Sequence, residues 1–485
     1  MSLLRRPPWN PDGSRASQAG ARAIGLLLLA PLGAFAAEAA LGGGLSLSTR
    51  AWGNTLALAG TAALLALAAG VPAGFALAQA RRRWPFALTL VPMLVPPALW
   101  AALWMALRLP TPGAAACGLM LAAGAWPVVA LLVAASLARI PRAQIDAAEL
   151  AGGRVVRTVA WPHARPAALA GALVVFLLGA SEFSVPATFA VPTVSSVIYE
   201  KMSAFEFAAA LSAALPLVAL AGALAFVLRR VPAVPQSAPS RPFLSGAPLH
   251  AARAIAAVAW LATAALPAVV FARTVGSVGR FAQVVSIHAE SLAWSACVAG
   301  AAAGLLVAWA SLSPTRSRLE PLWLAALVLP GVVPALGALT LAGHLGVQAP
   351  LAQSGALLVL ALMTRFAWVA WMPLREPVER AQLEAAELAA MPRARAWRRV
   401  TLPALWPRAA AAGAIVFVLC LGEIGPCVLL GPPGRQTAVQ HMFNWMHYGY
   451  DETVAAMALV LMAAAALFSW VAIHVGRRAP DPVAG

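Results

Sequence analysis

Apolar positions dominate this chain in runs close to 20 residues long, broken by short stretches of Arg, Pro, Gly and acidic residues. A helix of about 20 residues crosses the roughly 30 Å hydrocarbon core of a bilayer, so each run predicts one membrane-spanning helix. Twelve spans are expected, near 23–41, 54–79, 86–107, 114–138, 166–190, 204–228, 253–273, 288–311, 322–345, 350–372, 408–430 and 453–475. The first resembles a signal peptide, with Ala36-Ala37 in the place of a cleavage site. A polar stretch precedes it, however, and the second half holds a matching span at 253–273, so it is read as a retained helix.

Residues from Arg229 to Arg253 form the one long Pro/Ser-rich break, which cannot build a core and reads as a linker. The pattern repeats on either side of it. Pro92, Pro96, Ala98 and Leu99 in the third span match Pro330, Pro334 and the Ala335-Leu336 pair in the ninth. Asn54-Thr55-Leu56 opens the second span as Glu290-Ser291-Leu292 opens the eighth. The expected organisation is a first repeat over 1–230, a linker over 231–252 and a second repeat over 253–485. Six spans is an even number, so both repeats point the same way and are related by an axis along the membrane normal.

Composition agrees: 61% of the residues are hydrophobic, 11% are charged and the mean hydropathy is +0.81, values foreign to a soluble domain. The formal charge of +17 suggests nucleic acid at first sight, but its placement excludes that reading. Of the 34 Lys and Arg, all but Arg50, Arg108, Lys201, Arg273, Arg280, Arg365 and Arg435 fall in one set of alternate loops and the termini. That asymmetry is the positive-inside rule, and it places both termini in the cytoplasm. Arg81-Arg82-Arg83 is then a topology anchor. The cysteines Cys117, Cys297, Cys420 and Cys427 lie in apolar context without CxxC or His partners, so neither a disulfide framework nor a metal site is expected.

Two polar cassettes interrupt the apolar pattern. The first runs Gln144-Ile145-Asp146-Ala147-Ala148-Glu149-Leu150-Ala151-Gly152, then through Arg154 and Arg157 to Trp161-Pro162. The second runs Gln382-Leu383-Glu384-Ala385-Ala386-Glu387-Leu388-Ala389-Ala390, then through Arg393, Arg395, Arg398 and Arg399 to Leu402-Pro403. Glu182 follows Pro162 by 20 residues, and Glu423 follows Pro403 by the same 20. Ala, Glu and Leu favour helix, so each cassette is expected to begin as a short cytoplasmic helix.

The cassette resembles the EAA loop of permease subunits from binding-protein-dependent ATP-binding cassette importers. In that pattern Glu384-Ala385-Ala386 is followed by Ala390 at the Gly position, Val400 at the Ile position and Leu402-Pro403 in full register. In the first copy Asp146-Ala147-Ala148 is followed by Gly152 as the pattern requires, but Trp161-Pro162 arrives three residues early. The resemblance implies an all-α integral membrane fold of about 12 helices, two parallel six-helix repeats of the importer-permease (MetI-like) type. It also implies a bacterial inner-membrane location, an ATPase homodimer docked on Asp146, Ala147, Ala148, Glu149, Gly152, Pro162, Glu384, Ala385, Ala386, Glu387, Leu388, Ala390, Leu402 and Pro403, and a solute-binding protein on the outer face. Two fused units resemble the double-length permeases for ferric iron and, more distantly, thiamine. Gly422-Glu423-Ile424-Gly425-Pro426, Leu429-Leu430-Gly431-Pro432-Pro433-Gly434 and Met446-His447-Tyr448-Gly449-Tyr450-Asp451 look like the ferric-iron type.

Glu182 and Glu423 are expected midway along the fifth and eleventh spans. A carboxylate at that depth marks either a translocation path, where a symmetric pair suits a cation, or an interhelical bond. Arg365 faces an acidic partner or water. His441, His447, Tyr448, Tyr450, Asp451 and Glu452 cluster before the last span, either as ligands for a hard metal or as a solvated loop for a partner protein. Trp100 and Trp104 fit an aromatic belt. No Walker-type phosphate loop and no nucleophile–base pair occurs, so ATP hydrolysis belongs on another chain, no cofactor is expected and this chain is not itself an enzyme. An ion-coupled 6+6 secondary transporter is the competing class. It shares the duplication but has no reason to carry duplicated Glu-Ala-Ala cassettes, and the Gly-rich charged loop after its second span is absent. An intramembrane enzyme or scaffold lacks a catalytic constellation.

Overall fold

The computed structural model describes residues 15–41, 48–204, 206–228, 244–313, 319–375, 392, 395 and 397–476. Among these residues the secondary structure is entirely helical. The early helices are α1 (Arg15–Leu41), α2 (Thr49–Ala78), α3 (Trp84–Leu94), α4 (Pro97–Ala106) and α5 (Ala114–Leu137). Next come α6 (Arg142–Leu150), α7 (Trp161–Ser181), α8 (Ser184–Thr188), α9 (Val194–Ser203) and α10 (Phe207–Leu228). The chain resumes with α11 (Gly246–Trp260), α12 (Leu266–Val275), α13 (Val278–Ile287), α14 (Ala289–Leu312), α15 (Glu320–Val328) and α16 (Val332–His344). It ends with α17 (Gln348–Ser354), α18 (Ala356–Leu374), α19 (Leu402–Gly422), α20 (Gly425–Leu430), α21 (Ala438–Met446) and α22 (Glu452–Val475).

Nine helical stretches among the described residues are long and apolar enough to cross a bilayer, or 11 if each of two bent pairs counts as one span. This is a multi-pass membrane protein. The sixth expected span is represented only by the shorter apolar stretch Ala208–Ala223. Three further expectations are corrected. The third and ninth spans are not straight: α3 and α4 meet at 82°, and α15 and α16 at 113°. Val95 and Leu329, each preceding a proline, are held in extended conformation with ψ of 128° and 152°. The proline ring denies its predecessor the helical region, and that is the cause of both breaks. The second correction concerns Glu182 and Glu423, which sit not midway along helices but at the C-terminal caps of α7 and α19, again extended (ψ 127° and 118°). Third, Trp100 is 4% exposed and packs into the core, not in a belt.

Three π-helical turns, Val156–Ala160, Leu261–Ala265 and Trp397–Thr401, share one sequence cause. Each is followed at the second position by a proline: Pro162, Pro267 and Pro403. A proline inside a helix donates no hydrogen bond and crowds the carbonyl one turn back, and widening the preceding turn relieves both.

Packing interleaves the two halves. Helices α2, α5 and α7 form one bundle, and α14, α18 and α19 form another. The first helix crosses to pack on α16, while α11 packs on α2 and α12 on α4. Likewise α10 packs on α15 and α22 on α3. In the first bundle the backbones approach closely through small residues, as transmembrane helices do where packing replaces the hydrophobic effect. A Cβ on Gly70 or Gly74 of α2 would lie 2.8 Å from the carbonyl oxygens of Trp126 and Ala130 of α5, respectively.

Candidate functional site

The first cassette forms a helix, α6, anchored by one side chain. Ile145 is fully buried, whereas Ala147, Glu149 and Leu150 are exposed, Leu150 to 89%. Arg142 and Asp146 approach to 3.9 Å one turn apart. The helix closes on Gly152, whose φ of +64° is the left-handed conformation that glycine adopts without strain. Gly152 N–H donates to the Glu149 carbonyl at 3.0 Å and Gly153 N–H to the Ala148 carbonyl at 2.9 Å. Together they form a Schellman closure, which satisfies carbonyls that the helix end leaves open. Pro162 is exposed and enters α7 behind the π-helical turn, and Trp161 beside it is 43% exposed. Gly152→Val is expected to fray the last turn of α6, at a local cost of about 1–2 kcal/mol for a left-handed non-glycine residue. Faster amide exchange at Gly153 with unchanged global melting is the expected readout; protection equal to wild type contradicts it.

In the second cassette, Glu384, Ala385, Ala386, Glu387, Leu388 and Ala390 lie outside the described residues. Leu402 and Pro403 open α19 behind the matching π-helical turn, with Leu402 39% exposed.

The caps at Glu182 and Glu423 are alike in backbone but differ in what they hold. At the first, Glu182 Oε1 accepts hydrogen bonds from Ser184 N–H at 2.7 Å and from the Ser184 hydroxyl. The Ser195 hydroxyl of α9 donates to the Glu182 carbonyl at 2.6 Å. Thus the first carboxylate closes its own turn. At the second, Glu423 Oε2 lies 3.0 Å from Arg365 Nε of α18. The Nε–H is not aligned on that oxygen, so this contact is an ion pair and not a hydrogen bond. Arg365 Nη1 donates to the carbonyl of Leu329, the residue at which α15 breaks. The other Glu423 oxygen lies where a side chain on Gly331 would project, so only glycine fits beside it. A single guanidinium therefore joins the end of α19, the middle of α18 and the break between α15 and α16. Glu182 lies within electrostatic reach of both Glu423 and Arg365.

A second arginine of α18 repeats the theme at its far end. Arg375 pairs with Glu320, the first residue of α15, and stacks 5.4 Å from the Trp371 ring. Trp371, Trp323 and Trp309 pack edge to face at 5.3 and 4.9 Å. Arg375 and Glu320 escaped the sequence reading because both adjoin loops, where charge is ordinary. Arg365, a lone charge inside a span, was the available signal.

The polar residues before α22 are used locally. Asp451 caps α22 by accepting from Thr453 and Val454 N–H at 2.9 and 3.0 Å. Glu452 pairs with Arg280 at 2.9 Å, and the Tyr450 hydroxyl lies 2.9 Å from Thr274 Oγ1. His441 Nε2 accepts from Trp445 Nε1 at 2.6 Å, and burial and the neighbouring His288 both push its pKa below the usual imidazole value. His447 stacks edge-on against Phe443 at 4.9 Å, and Tyr448 is 90% exposed. Among the described residues no group of three or more His, Cys, Asp or Glu is placed to hold a metal. Scans of protein-family models, curated proteins and solved structures find no match to this chain.

Proposed function

We propose that this chain is the membrane-spanning permease of a binding-protein-dependent ATP-binding cassette importer. In this reading it lies in a bacterial inner membrane with both termini in the cytoplasm. The observation that carries it is α6: a helix tied down by Ile145 and closed at Gly152, yet presenting Leu150 to the surroundings, with Trp161 exposed nearby at the start of α7. A charged, apolar-tipped helix held rigidly outside an apolar bundle suits a partner protein that grips it. An ion-coupled transporter has no use for such an element. The motor is a separate ATPase dimer at the two cassettes, and a solute-binding protein delivers cargo to the opposite face. Closure of the ATPases moves α6 and its counterpart, and the bundle changes between outward-open and inward-open forms. The cargo is assigned to ferric iron on the Gly422–Pro426 and Met446–Asp451 resemblance, with thiamine or another small organic solute as the alternative. Two carboxylates in matching register, of which Arg365 is paired with one, also suit a cation better than an anion.

The test is retention of the motor. Co-expressed with the ATPase and binding protein that this reading expects among its neighbouring genes, the double variant Glu384→Arg/Leu388→Arg is expected to lose the ATPase on purification. Unchanged co-purification counts against the coupling role. Growth on ferric iron is expected to fail when the chain is deleted; normal iron uptake with a defect in another solute reassigns the cargo.

A further inference from the structure

The two arginines of α18 bracket α15. Arg375 at the C-cap of α18 pairs with Glu320 at the start of α15, and Arg365 donates to the Leu329 carbonyl just past its end. Ten residues of helix between the arginines rise about 15 Å, and the nine from Glu320 to Leu329 rise about 14 Å, so the two antiparallel segments match in length. Arg365 lies inside the apolar bundle, where a charge is retained only with a partner, and Arg375 lies at its edge. Their contacts sit at both ends of one short helix. Moreover, α18 leads into the second cassette and α19 leads out of it. The two helices meet again at Arg365 and Glu423, against the Gly331 break.

The first half is built differently. Its α5 carries no charged residue, and the first arginine beyond its end is Arg139. Its helices lock through glycine against backbone: a Cβ on Gly171 of α7 would lie 3.0 Å from the Val129 Cα of α5. Glu182 closes its own turn there and reaches no arginine of α5.

We propose that Arg365 and Arg375 are positioning residues that make α15 and α18 one strut, so that movement of the second cassette reaches the Leu329–Gly331 break and Glu423 directly. Among the described residues this pair of contacts is seen in the second half, and the proposal rests on the importer reading above. The two halves therefore respond unequally to one motor, the second by its charged strut and the first through close backbone packing.

The test uses the complete complex in proteoliposomes, with cargo moved per ATP hydrolysed as the readout. Arg375→Gln and Glu320→Gln are expected to keep the ATPase bound and hydrolysing while cargo per ATP falls about tenfold, inside the range typical of coupling between sites. The exchange Glu320→Arg/Arg375→Glu is expected to recover most of the loss. An unchanged ratio, or uptake and hydrolysis falling in proportion, overturns the proposal. A second measurement needs no motor. Spin labels at Leu322→Cys and Met372→Cys, in the full chain with Cys297→Ser, are expected to give one narrow distance that broadens in Arg375→Gln. Equal widths with and without Arg375 refute the strut. Should the wild-type chain hold no ATPase, the importer reading falls, while the label distances still decide the strut.

Discussion

Replacing Arg365 with methionine is expected to destabilise the folded bundle by about 3–5 kcal/mol, the usual result of leaving a buried charge without its partner. Arg365 is 9% exposed and serves two groups. One is the Glu423 carboxylate, packed against Gly331 in the bend between α15 and α16. The other is the Leu329 carbonyl, whose helical partner was removed when Pro330 broke the helix. The double variant Arg365→Met/Glu423→Leu is expected to be markedly more stable than Arg365→Met alone, because replacing both charges with apolar groups of similar size is often close to neutral. Reversible unfolding in mixed micelles, run as a double-mutant cycle, measures the coupling. A double variant that loses the sum of both single effects shows that the ion pair is not the source. Transport separates from stability here, since the double variant recovers the fold yet removes the link between α18 and α19.

Gly337→Val is expected to push α1 from its seat on α16, at a cost of about 1–3 kcal/mol or more, the range for overpacking. A Cβ at Gly337 would fall on the carbonyl of Pro31, a backbone atom of α1 that no rotamer change can move aside. The docking thus lost is substantial: Leu28 and Phe35 of α1 are almost fully buried, and Trp309 Nε1 donates to the Ala21 carbonyl at 3.1 Å. Gly304→Val in α14 is the control, since nothing lies within 4 Å of its Cβ position. Proteolysis of the N-terminal segment and thermal unfolding are expected to change at position 337 and not at 304. Equal effects at both sites place the cost in β-branched helix propensity and not in the α1–α16 contact.

Much of the architecture was open to reading from the residues. Runs of Ala, Leu and Val identify the spans, because no soluble fold tolerates so little charge over such length. The helix at Arg142–Leu150 and its end at Gly152 follow from local rules of helix formation and closure. The broken spans were visible in retrospect at Val95-Pro96 and Leu329-Pro330, but hydropathy treats a straight span and a bent one alike. The same blindness placed Glu182 and Glu423 at mid-helix, when each caps one.

What the residues settle unaided is the solvent, the chain's periodicity and the places where backbone hydrogen bonding must stop, since each depends on neighbours within a turn or two. Partnership is settled only in three dimensions. In a bilayer, lipid-facing and core-facing positions are equally apolar, so no sequence periodicity reveals that α1 belongs to the second half or that Trp100 faces inward. Nor can residue type tell which of two matching carboxylates meets an arginine. Glu182 and Glu423 stand in the same register, yet the fold brings Arg365 to one and leaves the other to the serine beside it. Electrostatic energy depends on separation in space, and helix packing, not position along the chain, sets that separation.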